Sequence, residues 1–243
     1  MANGQQLRAN SHFLPWVLVA VARERLFLRP QILRTLSPGI RLARLAGQDF
    51  LLAETGMGSE RVRTTLDRLR HESTCSRAIF AGFAGGLRPD LDVGDLLWAD
   101  EVVAADGCRY RSPDSASCPG RRGVLRSSDR LVSTPADKRR LADEGADAVD
   151  MESAAFAAWC AEHAVPWSCV RAVSDAANTT IPSDVFDLVS DRGLSLPRLI
   201  RGLVRRPALV GDLWSLGRAT RRAARPLAAA IEAWFTATSD VSR

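Results

Sequence analysis

At 243 residues, with 46% hydrophobic and 25% charged side chains, the chain has an ordinary globular composition and is long enough to bury a full core as one large domain. The apolar run from Trp16 to Ala22 is too short for a membrane span and lacks the flanks of a signal segment after the polar opening M-A-N-G-Q-Q-L-R-A-N-S-H, which points to a cytoplasmic protein. Its net charge of +5 is lopsided: eight arginines and one acid, Asp212, fall between Arg198 and Arg225, so this stretch carries +7 and the remaining chain −2.

In chain order, Pro15 to Ala22 predicts a first strand buried on both faces, because its apolar residues do not alternate with polar ones. R-E-R-L-F-L-R-P follows as a helix or loop carrying Glu24. Ile40 to Thr55 breaks at Gly47-Gln48-Asp49 between two apolar runs and predicts a hairpin. Thr55-Gly56-Met57-Gly58 then opens a helix from Ser59 to about His71. Free N–H groups and the helix dipole make such a turn an anion or ribose site. Arg61 stands where a dinucleotide fingerprint needs its third glycine.

Arg77 to Phe83 predicts a strand running into Gly82-Phe83-Ala84-Gly85-Gly86, where Gly85 lets backbone approach a ligand or another strand. After Val93-Gly94-Asp95 comes a β-run from Leu96 to Ala104, then a Ser-, Pro-, Gly- and Asp-rich loop from Ala105 to Arg122. Val124 to Val132 is a mixed run, and Pro135 to Asp143 predicts a short helix. From Gly145 to Asp175 the chain holds an apolar approach, two carboxylates either side of Met151, a helix from Ser153 to Ala164, a Pro-marked turn and a buried strand from Trp167 to Val173. Strands alternating with helices imply an α/β fold. This unit places Glu152 and Asp175 at neighbouring element ends, where ligands of open α/β sheets sit. Taken alone, Glu152 also suits a helix dipole and Asp175 an N-cap. The five cysteines, Cys75, Cys108, Cys118, Cys160 and Cys169, show no CxxC and no histidine at ligand spacing, which argues for reduced thiols and against zinc; His12, His71 and His163 read as surface or capping residues.

The set T-G-M-G at 55–58, A-G-F-A-G-G-L at 81–87, V-G-D at 93–95, S-S-D-R-L-V at 127–132, V-D-M-E-S at 149–153 and V-R-A-V-S-D at 170–175 resembles the purine nucleoside phosphorylase and methylthioadenosine/S-adenosylhomocysteine nucleosidase superfamily. The resemblance covers about residues 15 to 190, and its specific part is the V-D-M-E and R-A-x-S-D pair. Within the superfamily, Glu24-Arg25…Arg29-Pro30 and the basic, Pro-interrupted C-terminus most resemble the phosphorylase-like proteins associated with hopanoid lipid synthesis. The resemblance implies a single α/β domain with a central mixed β-sheet flanked by helices, N-glycosidic cleavage of a purine nucleoside, and a homodimer or larger homo-oligomer. It implies no cofactor, with inorganic phosphate as the alternative co-substrate to water.

That cleavage develops positive charge on the ribose and negative charge on the departing base, which calls for an acid near the base and acceptors near the sugar. By resemblance Asp175 protonates or hydrogen-bonds purine N7, with Ser174 orienting it. Glu152 holds the ribose hydroxyls, Met151 packs on the sugar, Glu24 activates water, and Arg171 lies near the nucleophile. Leu131 and Val132 bind the purine, Leu131 replacing the usual aromatic. The chain departs from the hydrolases at Phe83, which stands where they carry a serine and leaves the choice between water and phosphate open.

The chain thus divides into a polar tail over 1–14, a nucleosidase-like domain over 15–190 and a basic helical extension over 191–243. In the extension Leu196, Leu199, Ile200, Leu203 and Val204, then Leu209, Leu213, Leu216, Leu227 and Ile231, follow a helical period broken by Pro207 and Pro226. These amphipathic helices either pack on the core with arginines to water or attach to an anionic membrane surface. Nucleic acid lacks the aromatic interleaving it would need. Two function classes follow: an enzyme that releases the base from a small-molecule adenine nucleoside with a 5′ substituent such as an adenosyl lipid, with a hydrolytic nucleosidase acting on methylthioadenosine or S-adenosylhomocysteine as the alternative, and a non-catalytic nucleoside-binding protein docked to membranes.

Overall fold

The computed structural model describes residues 13–20, 29–113, 120–181, 189–190, 193–194 and 225–236. Glu24 and most of the arginine-rich stretch lie outside the described residues, as do the polar tail through His12 and Cys118.

Ten strands form one mixed sheet. Strand β1 (Phe13–Val19) lies between β4 (Gln48–Glu54) and β5 (Thr74–Gly86), parallel to both. As its lack of alternation predicts, β1 is buried on both faces: Trp16 and Leu18 join the core on one side of the sheet, Val17 and Val19 that on the other. The hairpin pairs β3 (Ile40–Leu45) with β4, Leu45 opposite Gln48. Its turn falls at Ala46-Gly47, both at positive φ (48° and 80°), one residue earlier than the sequence reading. That backbone matches the right-handed strand twist, and it leaves Asp49 inside β4 to accept from Arg44 Nη2 at 2.9 Å.

An additional edge strand, β2 (Gln31–Ser37), pairs antiparallel with β3. Its largely exposed side chains gave no apolar alternation to read.

Beyond β5 the sheet curls into a closed ring. Strand β10 (Trp167–Asp175) pairs parallel with β5 and antiparallel with β6 (Leu96–Val103); β6 pairs with β8 (Arg121–Ser127), β8 with β9 (Ala148–Asp150), and β9 with the end of β5. The stretch read as loop over 105–122 contains β7 (Arg109–Arg111), paired with β6. Of the mixed run at 124–132, only the first part is strand. Strands β11 (Val189–Ser190) and β12 (Gly193–Leu194) form a separate two-residue pairing.

Helices α1 (Ser59–Glu72) and α3 (Ser153–Glu162) cover one face of the sheet: Val62, Leu66 and Leu69 pack with Phe156, Trp159 and Cys160 over Trp16, Leu18 and Phe80. Between them in the chain, α2 (Pro135–Asp143) starts where the sequence places it, with proline in its first turn and Thr134 Oγ1 accepting from the Asp137 N–H at 3.1 Å.

The opposite face is covered by helix α4, residues 225–236, the described helix of the C-terminal extension. Its Leu227, Ile231, Trp234 and Phe235 are fully buried against Val17, Phe50, Ile79 and Val170. Trp234 Nε1 donates to Ser168 Oγ at 3.1 Å, the Arg77 guanidinium sits 3.8 Å over the Trp234 ring, and Phe235 packs 5.0 Å from Phe50. This end of the extension is part of the core. Trp234→Ala is therefore expected to destabilise the protein by about 3–5 kcal/mol, through the cavity and the lost aromatic contacts. The shift in the urea unfolding midpoint measures it.

Candidate active site

Two sequence-distant pairs of elements converge at one end of the ring. Asp175 ends β10, and its register partner is Gly85 near the end of β5; Gly85 in turn pairs with Val149 of β9. A Cβ on residue 85 would lie 3.1 Å from Asp175 Oδ2 and 3.5 Å from Val149 Cγ1, so glycine makes room for the carboxylate, the close approach that the glycine cluster predicts. Three residues on from Val149, Glu152 stands between β9 and α3.

Asp175 is buried and bound on both oxygens. Ser174 Oγ donates to Oδ1 at 2.7 Å and lies 3.2 Å from the Ala84 carbonyl, which fixes its rotamer. Lys138 Nζ, projecting from α2, ion-pairs with Oδ2 and donates to the Ala176 carbonyl at 2.7 Å. Both Lys138 and Asp175 are almost without solvent contact, at 0% and 6% exposure. Two donated hydrogen bonds, one of them from Lys138 Nζ, fix the orientation of the side chain.

Glu152 Oε1 accepts from the Gly58 N–H at 3.0 Å. Gly58, at φ 99°, ends the turn before α1. The anion that the turn presents its N–H to is thus the chain's own Glu152, which locks α1 to the β9–α3 junction. Ser59 Oγ adds a 3.4 Å bond to the Met151 carbonyl. Burial pushes the Glu152 carboxyl above the ordinary glutamate range and the neighbouring charge of Asp150 adds to this; the Gly58 N–H and the Arg171 charge pull the other way. A hydrogen-bond acceptor results, held at the β9–α3 junction.

Arg171, read from the resemblance as lying near the nucleophile, is placed inside the fold at 2% exposure. Its Nε and Nη2 reach Asp150 Oδ2 at 2.9 and 2.8 Å, and Nη1 donates to the Phe80 carbonyl at 2.8 Å, with the guanidinium over the Phe80 ring. Asp150, the last residue of β9, meanwhile holds the start of α3, accepting from Ser153 Oγ at 2.6 Å and from the Ser153 N–H. The Arg171–Asp150 pair thereby sets the angle at which the segment carrying Met151 and Glu152 enters α3.

Val132 is buried with Leu87, Leu141, Ala146 and Val149, forming an apolar wall that reaches Gly85. Leu131 beside it lines an open cavity of 60 Å³ with Arg126, Arg130 and Leu141. The loop carrying both is pinned by the Ile181 N–H on the Ser133 carbonyl, 2.9 Å. Phe83 packs against the α4 side of the sheet. Gly56, at φ 77°, faces the Arg61 side chain. The structure therefore brings together Asp175, Ser174, Gly85 and Val132 on one hand and Glu152, Met151 and Gly58 on the other, at one end of the sheet. Glu24 lies outside the described residues.

Two participants were not singled out from the sequence. Asp150 was legible as an acid three residues before Ser153 in D-M-E-S. Lys138 carried another signal: it is the chain's one lysine among 33 lysines and arginines.

Among the described residues, no group of three or more His, Cys, Asp or Glu side chains is placed to hold a metal ion, and no helix is long and apolar enough to cross a membrane.

Residues 40–125 and 119–196 match the Phosphorylase superfamily, and the chain belongs to it: an α/β enzyme of N-glycosyl bond cleavage. The superfamily works without a cofactor. Among its relatives, a 5′-methylthioadenosine/S-adenosylhomocysteine nucleosidase of Tolumonas auensis is 30% identical over 207 residues, 69% of this chain and 88% of the relative. That of Mycobacterium tuberculosis is 26% identical over 204 residues, 63% of this chain and 80% of the relative. In fold, the chain is similar to the Helicobacter pylori nucleosidase solved with butyl-thio-DADMe-Immucillin-A: TM-score 0.68, 18% identity, 93% of this chain and 99% of the other.

Proposed function

We propose that the protein hydrolyses the N-glycosidic bond of an adenine nucleoside with a 5′-thio substituent, of the methylthioadenosine or S-adenosylhomocysteine class, and releases adenine. The observation that carries this reading is the pair of acids held in different ways at one end of the sheet: Asp175 locked between Ser174 and Lys138, and Glu152 held by the Gly58 N–H. In this reading Asp175 serves the purine at N7, with Val132 and Leu131 on the base. Glu152 binds the ribose hydroxyls against Met151, and the Arg171–Asp150 pair positions it. Glu24 activates the attacking water. A carboxylate facing the sugar favours the developing positive charge, and an acid at the base favours its departure.

Product analysis tests this directly. With methylthioadenosine and no phosphate, adenine and methylthioribose should appear. Methylthioribose 1-phosphate formed only when phosphate is added would replace hydrolysis by phosphorolysis, and no adenine under either condition would overturn the reading in favour of a binding protein.

A second reading is favoured by the eight arginines between Arg198 and Arg225. It takes the substrate as an adenosyl lipid of the hopanoid kind, its head in the pocket and its tail in an anionic membrane to which the arginines attach. Binding to cardiolipin vesicles that is strong at low salt and falls steeply as salt rises supports it, since screening lengths are about 10 Å at 0.1 M. Equal weak binding at all salt concentrations removes it. Because α4 is part of the core, the informative variant replaces the arginines by glutamine and leaves the helix intact. Both readings take the protein as a homodimer or larger homo-oligomer, which light scattering measures.

A further inference from the structure

We infer that Lys138 supplies the proton that Asp175 passes to the leaving purine. The inference rests on the reading of Asp175 given above and extends it to a residue outside the resemblance's motif set.

Three observations converge on Lys138. It is fully buried, a rare state for a lysine, and its Nζ contacts Asp175 Oδ2 and the Ala176 carbonyl. Asp175 is engaged on both oxygens, by Ser174 and by Lys138, so the Lys138 N–H is the proton placed at Oδ2. The chain otherwise meets its cation needs with arginine: of 33 lysines and arginines, Lys138 is the one lysine. An arginine could anchor Asp175 equally well, and its planar fork suits a carboxylate better, but it does not release its proton. A lysine ammonium can.

As the bond between C1′ and N9 breaks, its electron pair enters the purine and N7 becomes basic. N7 takes a proton from Asp175, the N–H of Lys138 replenishes the Asp175 carboxyl, and Lys138 remains as a neutral amine still donating to the Ala176 carbonyl. One proton leaves Nζ and one arrives at N7, while Asp175 ends as it began. Lys138 regains its proton from solvent when adenine leaves.

The test compares the wild type with Lys138→Met, Asp175→Asn and the double variant on methylthioadenosine, following adenine release. Lys138→Met should lower kcat by about tenfold or more, and by less than Asp175→Asn does, because it acts through that residue. KM should stay within about threefold, since ground-state binding of the nucleoside does not use the proton. The double variant should be no slower than Asp175→Asn alone, the coupling expected of groups that act as a unit. A Lys138→Met kcat within about threefold of wild type, or a KM that rises in step with the loss of kcat, overturns the step. So does a double variant slower than Asp175→Asn by the full Lys138→Met factor. Should the single Met variant not fold because it leaves a buried carboxylate alone, the electrically neutral double variant still gives the comparison with Asp175→Asn. An Asp175→Asn protein as active as wild type overturns the site reading itself, whereas a fast Lys138→Met beside a dead Asp175→Asn overturns the Lys138 step alone.

Discussion

Asp175→Asn is expected to lower turnover of methylthioadenosine by about 10²–10⁴, the range general acid catalysis contributes, while adenine nucleosides still bind. An amide has nearly the shape of the carboxylate, so Ser174 keeps its partner and Gly85 its clearance. It cannot take a proton on one side and return it on the other. The substitution also leaves Lys138 as a buried cation without its counter-charge, and breaking a buried ion pair from one side costs about 3–5 kcal/mol. The variant should therefore be folded but markedly less stable, and adding Lys138→Met should restore stability without restoring rate. Initial rates with a urea unfolding curve separate the two effects. More than half of wild-type activity in Asp175→Asn would end the assignment of Asp175.

Much of the fold was legible because periodicity and turn chemistry agree with it. The non-alternating run at β1, the glycine turn before α1, and Thr134-Pro135 ahead of α2 all form the elements they predict. What failed was local pattern where tertiary context decides. Strand β2 exposes most of its residues and is held by backbone pairing to β3, and β7 is a three-residue strand in a polar stretch, so neither carries an apolar signal. The closure of the ring through the bonding of β10 to both β5 and β6 is a long-range fact that no window of sequence contains.

The site divides along the same line. Its acids stand in dense motifs and were read as such. Their supports were harder to see, because a supporting residue is defined by what it touches across the fold: Lys138 reaches Asp175 across 37 positions, and Gly58 reaches Glu152 across 94. Arg171 shows how a residue in a functional motif is also tied into the fold by its surroundings. Three of its nitrogens face Asp150 and the Phe80 carbonyl, deep beneath the sheet edge. Burial of that pair makes Arg171→Ala a larger threat to folding than to chemistry, since it would leave Asp150 charged and alone.

Glu152 joins stability and function in opposite directions, and its substitution should show both. If its carboxylate holds two ribose hydroxyls, each charge-assisted bond contributes about 1.5–3 kcal/mol, so Glu152→Ala should lower kcat/KM by about 10²–10⁴. Glu152→Gln, which keeps an acceptor but loses the charge, should lower it less, since charge-assisted bonds are roughly twice as strong as neutral ones. A 2′,3′-dideoxy substrate should be nearly indifferent to both substitutions, and a full mutational loss with that substrate would remove the ribose role. Because burial raises the Glu152 pKa, the acid limb of the wild-type kcat/KM profile should lie above the ordinary glutamate range and vanish in Glu152→Gln. Stability runs the other way. A carboxyl whose pKa is raised by folding stabilises the native state below its unfolded pKa, and this contribution is lost as pH rises through the folded value. Glu152→Gln removes the buried charge and keeps an oxygen for the Gly58 N–H, so it should unfold at a higher urea concentration than wild type above the folded pKa, with the gap closing below the ordinary glutamate range. A variant equally active and no more stable above that pH would mean that Glu152 serves the contact with Gly58 and the start of α3 and not the substrate.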